Sequence, residues 1–367
     1  MKLQSEEGFI SDRDIMIAVI SNIIGLLTLT LPRLLAANTN SSDGWLAIVL
    51  GGGIVSFFAY IVSKIASSFP NQSFFSYASY LVSKPLAVFF TLMFTLQYLA
   101  IASFQVREIS VLAHQYLFDQ TPREVIALAF LLVVIYAVSG SHAAIFRLNV
   151  LFLPIIIGGL LILILLPLGF IRTENLLPVF QTDIKGYLKA TYSSITSFMG
   201  FGIVLFYIAL VKSPENTPKM AVRGVLVITF LNLLLYIVCI GVLGNLTTEN
   251  LFFPSFDLSR TVDIPGGFFQ RFDSILFVVW TMIIFTTALM AFDIAVMTLM
   301  MVFEKLKKIK VIFTLSPILF FISMLPKDYL ELTKVSSVMS SFIVIYLVIV
   351  TILLGVAYKI KGGNQNA

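Results

Sequence analysis

Residues 15–32, 85–106, 148–171, 190–211, 224–248, 311–326 and 335–358 contain no Asp, Glu, Lys, Arg or His. Three further stretches, 44–63, 125–146 and 274–303, are charge-free except for His142 in the second and Asp293 in the third. An α-helix needs about 20 apolar residues to cross the hydrocarbon of a bilayer. Runs of this length, recurring from one end of the chain to the other, leave no polar surface with which to wrap a water-soluble core. Hydrophobic residues make up 59% of the chain and charged residues 12%, about half the charged share of an ordinary soluble domain, which is roughly 25%. The pattern predicts an all-α integral membrane protein of about ten transmembrane helices. Their expected ranges are 15–35, 45–65, 85–112, 124–140, 147–169, 190–211, 221–243, 270–303, 311–325 and 335–358, the eighth long and the ninth short.

The segments between the spans fill in the layout. Residues 66–83 are rich in Ser, Asn and Gln and read as an amphipathic interfacial helix, not a crossing. A short amphipathic piece is expected at 183–189, and the link 244–269, with Pro254, Pro265, Gly266 and Gly267, is long enough to carry small helices of its own. The opening segment mixes acidic and basic residues and lacks the pattern of a secretory leader. An even helix number puts both termini on one side. Lys305, Lys307, Lys308, Lys310, Lys359 and Lys361 place that side in the cytoplasm by the positive-inside rule. The expected organisation is one transmembrane domain with repeats over about 12–171 and 187–358 and short tails 1–11 and 359–367.

Polar and helix-breaking residues interrupt two spans. The first contains NIIGLLTLTLPR at 22–33, with Gly25 near its middle and Pro32 near its end. Proline has no N–H for the carbonyl four residues back, so the Thr28 carbonyl loses its helical partner. The sixth span reads SITSFMGFGIVLFYIALV, with Gly200 and Gly202 at its centre. Two readings are open. One is a packing glycine and a proline kink, both common in membrane helices. The other is a matched pair of broken helices, because the first and sixth spans open two sets of five and inverted-repeat transporters are interrupted at corresponding places. Broken ends present N–H groups and carbonyls of opposite partial charge, a cradle for a small zwitterion that needs no charged side chain.

These residues carry a resemblance. NIIGLLTLTLPR, DGW at 43–45, ASFQVRE at 102–108, RFDSILFVVW at 271–280 and FTT at 285–287 resemble the B subunit of the GerA-family nutrient germinant receptors of spore-forming bacteria. That family is similar to amino-acid/polyamine/organocation transporters of LeuT-type fold. The resemblance implies a 5+5 inverted repeat with broken helices 1 and 6, a place in the spore inner membrane, and a complex with an A subunit and a lipid-anchored C subunit. It implies a ligand pocket at Ile24, Gly25 and Leu26, with Gln97 and Ile101 from helix three and Met199, Gly200, Phe201 and Gly202 from helix six. Gln97 departs from the bulky aromatic familiar there in the alanine-responsive member. Apolar Ile101, Met199 and Phe201 suggest a small pocket suited to an apolar amino acid. Thr286 and Thr287 stand where sodium-coupled members of the fold hold an ion, and equally could bond their own helix. The fifth span has no lysine of the kind proton-coupled relatives use.

The remaining candidates are weaker. Asp293 is an intramembrane acid and therefore a functional suspect, or else a structural or interfacial group. Arg107 and Glu108, at the end of helix three, read as an interfacial pair or as snorkelling side chains, and Arg33 reads the same way. His114 and His142 have no acids at ligand spacing, so no metal is expected. No Ser-His-Asp or Cys-His set, phosphate loop or CxxC is present, so neither catalysis nor a cofactor is expected. No basic patch interleaved with aromatics points to nucleic acid. Cys239 is the single cysteine and fills space. Three functions fit: a receptor subunit for a small nutrient, an amino-acid transporter working by alternating access, and a membrane scaffold with a vestigial pocket.

Overall fold

The computed structural model describes residues 9–261 and 272–362. The start of the eighth expected helix, Pro265, Gly266 and Gly267, and the outermost parts of both tails lie outside these residues. All ten expected spans are present as helical segments. The first is made of α1 (Asp12–Leu27) and α2 (Leu31–Ala36), and the second is α3 (Gly44–Ser67). After α4 (Phe74–Leu81) come α5 (Lys84–Tyr116), α6 (Arg123–Ser139) and α7 (His142–Leu165) as spans three to five. The sixth comprises α8 (Ile184–Ser197), a 3-10 segment (Met199–Ile203) and α9 (Val204–Tyr207). The seventh is α10 (Thr217–Leu243), followed by two short helices, α11 (Asn245–Asn250) and α12 (Pro254–Asp257). The last three are α13 (Phe272–Val302), α14 (Lys308–Met324) and α15 (Tyr329–Gly362). Among the described residues, seven of these segments are long and apolar enough to cross a membrane on length and composition alone. The others, α1, α6 and α14, have 16, 17 and 17 residues.

Local chemistry explains where the elements begin. Ser11 and Asp14 form a capping box at the start of α1, each side chain bonding the other's backbone N–H. Ser141 accepts the amide of Ala144, which starts α7 at His142, earlier than the apolar run predicts. Asp183 accepts the amide of Gly186 at 2.8 Å. The polar stretch 183–189 is therefore the first turn of the sixth span and not a separate interfacial piece. Residues 66–83 do not cross, as expected. Yet α4 is packed inward, with Phe74 and Tyr77 fully buried and the Tyr77 hydroxyl donating to the Leu205 carbonyl at 2.9 Å.

In the interior, α5 runs along α13, α3 along α10, and α1 lies against both α10 and α13. The most apolar parts of Leu276–Val302 and of the sixth span are 83% buried, against 33% for His142–Phe170. The sixth and eighth spans are thus the most buried of the seven long apolar segments and the fifth the least. The amino-terminal segment closes one end of the bundle. Ile10 N donates to the Leu210 carbonyl at 3.0 Å, and Lys212 N donates to the Ile10 carbonyl at 3.2 Å.

Candidate functional site

The first span breaks over Thr28–Thr30, between α1 and α2. Gly25 itself stays inside α1, so the interruption sits one turn beyond the glycine. The position follows from Pro32. An α-helix leaves its last four carbonyls without helical donors, and Pro32 deprives the Thr28 carbonyl of an amide as well. Neighbouring elements supply the donors. Gln105 Nε2 on α5 bonds the Gly25 carbonyl at 2.7 Å, and Ser255 Oγ on α12 bonds the Thr28 carbonyl at 3.1 Å. Thr287 Oγ1 on α13 reaches the Ser21 carbonyl at 3.1 Å. The role of Gly25 is close approach: a β-carbon there would overlap the Thr287 hydroxyl and lie 2.6 Å from Thr287 Cβ.

The sixth span loses its α-helical bonding over the 3-10 segment Met199–Ile203, which contains both expected glycines. The break of the sixth span packs against α1 within its helix, five residues before the break of the first span. A β-carbon on Gly200 would lie 2.9 Å from Ile23 N and 2.9 Å from Asn22 Oδ1. One on Gly202 would meet the Tyr98 hydroxyl at 3.3 Å. Gln97 and Ile101 are buried on α5, and Met199 and Phe201 are buried in the 3-10 segment that holds the two glycines. Ile24 faces elsewhere, into a void of about 10 Å³ bordered by Thr28, Leu160, Ile164 and Asn232. The side chain of Leu26 lies outside the described structure. Thr286 bonds the Ile283 carbonyl of its own helix at 2.9 Å, so only Thr287 of the pair bridges to the first span.

Several buried polar atoms around the breaks have no hydrogen-bond partner: Ser21 Oγ, Asn22 Nδ2 and Thr28 Oγ1 on the first span, and Gln97 Oε1 and Gln105 Oε1 on α5. Unpaired polar atoms are costly in a low-dielectric interior. Here they include both donors and acceptors. Among the described residues, no group of three or more His, Cys, Asp or Glu side chains is placed to hold a metal ion.

A second polar cluster lies toward the end of the bundle closed by Ile10 and Val211. Asp293 Oδ2 is 2.7 Å from His142 Nδ1 and accepts the Tyr207 hydroxyl at 2.9 Å, while Lys308 Nζ stands 3.6 Å from Oδ1. His142 is therefore not isolated, and Asp293 is fully buried, a structural junction of four spans and not an interfacial group. Arg107 and Glu108 are not a pair. Arg107 Nη2 donates to the carbonyls of Pro326 at 2.6 Å and Lys327 at 3.2 Å. Both side chains are buried, and α5 continues beyond them to Tyr116.

Residues 9–332 match the family model described as spore germination protein. The chain is 37% identical over 361 residues to spore germination protein GerLB of Bacillus cereus, covering 97% of this chain and 96% of that protein. It is 31% identical over 312 residues to spore germination protein YndE of Bacillus subtilis (strain 168), covering 85% and 86%. In three dimensions it is similar to MhsT, solved in complex with L-phenylalanine, with a TM-score of 0.73 at 14% identity over 95% of this chain and 89% of that one. At such identity the likeness speaks for the fold, the LeuT type with its 5+5 arrangement and broken first and sixth helices.

Proposed function

The chain belongs to the spore germination protein family, and we propose that it is the nutrient-binding membrane subunit of a germinant receptor, taking a small amino-acid-like ligand at the broken centres of its first and sixth spans. The observation that carries this reading is the packing of the sixth span's break, at Gly200, against Asn22 and Ile23 of α1 amid buried polar atoms that lack partners. The ligand's carboxylate is assigned to N–H groups of the 3-10 segment, and its ammonium to the second lone pairs of the carbonyls near the end of α1, whose first donors come from Gln105 and Ser255. Gln97, Ile101, Met199, Phe201 and Gly202 would enclose its side chain, with Ile24, Gly25 and Leu26 supplying backbone. Thr287 acts as the polar tie between α1 and α13, and Thr286 has a lesser part.

Signalling then follows from differential affinity. A ligand that bridges the breaks favours one arrangement of the first and sixth spans against the rest of the bundle. The preference passes to partner subunits, which the resemblance names as an A subunit and a lipid-anchored C subunit. The assigned setting is the spore inner membrane with both termini in the cytoplasm, the chain forming one transmembrane domain.

The likeness to MhsT, a protein solved with an amino acid bound, supports a second reading, an amino-acid transporter that completes alternating access. One experiment addresses both. The purified protein is melted in the presence of a panel of amino acids and sugars, and the hit is then offered as a labelled solute to vesicles holding the protein. Concentration-dependent stabilisation by an amino acid without uptake supports the receptor, uptake supports the transporter, and no stabilisation by any amino acid removes the central proposal.

A further inference from the structure

The carboxyl-terminal ends of α3 and α15 meet beside α4. Gly355 of α15 packs on Ile65 of α3, where a β-carbon on the glycine would lie 3.6 Å from Ile65 Cδ1. One turn further on, the Tyr358 hydroxyl is 3.0 Å from Ser68 Oγ. The Phe69 ring fills the corner between the three helices. It stacks on Tyr77 at 5.6 Å and stands edge-on to Tyr80 and Tyr358, each at 6.1 Å. Tyr77 fixes the corner to the sixth span through the Leu205 carbonyl, close in sequence to the Leu210 carbonyl that Ile10 engages. The corner therefore lies toward the end of the bundle that Ile10 closes.

Two lysines flank it. Lys361 Nζ donates to the Tyr80 carbonyl at 2.6 Å and lies 5.3 Å from the centre of the Tyr80 ring. Lys64 Nζ lies 5.8 Å from the centre of the Tyr60 ring, one turn back along α3. Both lysines are exposed, as are Lys84 at the start of α5 and Lys359 on α15. No Asp or Glu occurs between Asp43 and Glu108, or after Glu331. The helices that build the corner thus bring positive charge to it and no carboxylate of their own. An ammonium group carries three donors, of which Lys361 gives one to Tyr80.

The faces that lead to these lysines are apolar. Phe57 and Tyr60 precede Lys64 on one face of α3, and Ile352 and Val356 precede Lys359 on one face of α15; all four are exposed. Along each helix the order is apolar stripe first, ammonium last, and the charge-free runs 44–63 and 335–358 end where the lysines begin. That is the order of a phospholipid, acyl chains inward and phosphate at the surface. A soluble acidic segment would use the lysines and leave the stripes without a function.

We propose that this corner binds one anionic phospholipid from the leaflet on the Ile10 side, its phosphate engaging Lys64 and Lys361 and its chains lying along α3 and α15. Bound there, the lipid clamps the end of α15 to α3.

The test counts lipid on the full-length protein, purified in an uncharged detergent and titrated with phosphatidylglycerol or phosphatidylcholine under native mass spectrometry. Phosphatidylglycerol is expected to bind more tightly, as a single molecule. Lys64→Gln with Lys361→Gln is expected to weaken it about 25-fold, about fivefold for each basic residue at an anionic surface, and to leave phosphatidylcholine unchanged. Lys64→Arg with Lys361→Arg keeps the charge and is expected to keep the preference. Lys305→Gln with Lys307→Gln, between α13 and α14, is expected to spare it. Equal affinity for the two lipids, no loss in the Lys64/Lys361 glutamine pair, or the same loss in both glutamine pairs overturns the proposal. Displacement of phosphatidylglycerol by inorganic phosphate or by polyglutamate assigns the lysines to a soluble anion and overturns it as well. Should the glutamine pair fail to fold, the wild-type melting temperature decides. A rise with phosphatidylglycerol alone, fading as salt is added, supports the site, and an equal response to both lipids overturns it.

Discussion

His142 Nδ1 lies 2.7 Å from Asp293 Oδ2, joining the first turn of α7 to the middle of α13 across 151 positions of sequence. A carboxylate only accepts, so the imidazole donates from Nδ1. Tyr207 adds a second donor from the end of the sixth span, and Lys308 a nearby positive charge from the start of α14. Lys308 is itself held by the Gly140 carbonyl at 2.7 Å. Four spans thus converge on one buried carboxylate, close to the end sealed by Ile10 and Val211. The arrangement is a latch on the amino-terminal face.

Asp293→Asn keeps the shape of that junction and removes its charge. Breaking a buried ion pair from one side costs about 3–5 kcal/mol. The expected outcome is a lower melting temperature with faster hydrogen exchange at the amides of Ile10 and Lys212, which close the same face. Unchanged exchange at those two amides would show that the latch and the terminal seal are independent.

Gly25 and Thr287 form a contact that admits no side chain on the glycine. Gly25→Ala drives a methyl group into the Thr287 side chain and is expected to cost about 1–3 kcal/mol, the usual penalty of overpacking. Thr287→Gly in the same protein removes both clashing atoms and restores most of the melting temperature. It also removes the bond to the Ser21 carbonyl, so amino-acid-dependent stabilisation stays weak. A Gly25→Ala protein as stable as the wild type would mean that α1 and α13 can separate freely at this point.

The spans were legible in the sequence because lipid imposes a length and forbids charge, and both constraints are written in one dimension. The effect of Pro32 was legible for the same kind of reason: a missing N–H has a fixed address, the Thr28 carbonyl, and that is where Ser255 donates. Gly25 was ambiguous because a glycine in a membrane helix serves unwinding or close packing equally well. Here Thr287 decides for packing, and the break falls later. His142 and Asp293 could not be paired by local spacing, since only the tertiary fold brings α7 to α13. Arg107 and Glu108 mislead in the opposite way. Adjacent residues on a helix point in different directions, and these two serve different neighbours.

Gln105 and Gln97 sit on the same helix and are expected to separate structure from binding. Gln105 supplies the donor for the Gly25 carbonyl, and Gln105→Leu leaves that buried acceptor unpaired, at a cost of about 1–3 kcal/mol. Gln97 Oε1 has no partner, and replacing an unsatisfied polar group with an apolar one of similar size is close to neutral. Gln97→Leu is therefore expected to hold the melting temperature of the free protein while changing which amino acids stabilise it. Melting curves with and without the panel decide the matter, and equal destabilisation by the two substitutions would count against Gln97 as a ligand-facing residue.

Asp43 ties the loop before α3 to the loop before α8. Its carboxylate accepts the amides of Phe180 at 2.5 Å, Gln181 at 2.7 Å and Thr182 at 2.8 Å, together with the Thr182 hydroxyl at 2.8 Å. Burial pushes its pKa up, but the Thr182 hydroxyl and the three amides outweigh this and hold it below the ordinary value of 3.8. A group whose pKa is depressed by folding stabilises the fold above its unfolded pKa and loses that contribution as pH falls through the folded one. The stabilisation is therefore present in full above about pH 4 and fades in more acidic solution. Asp43→Asn keeps the size and one acceptor oxygen but cannot serve four donors with charge. It is expected to be less stable at neutral pH by about 1.5–3 kcal/mol, the scale of a hydrogen bond to a charged group. The difference between wild type and variant should shrink below pH 4 as the wild-type carboxylate is protonated. Melting temperatures of both proteins from pH 7 down to acid test the sign, and a gap that widens on acidification would contradict it.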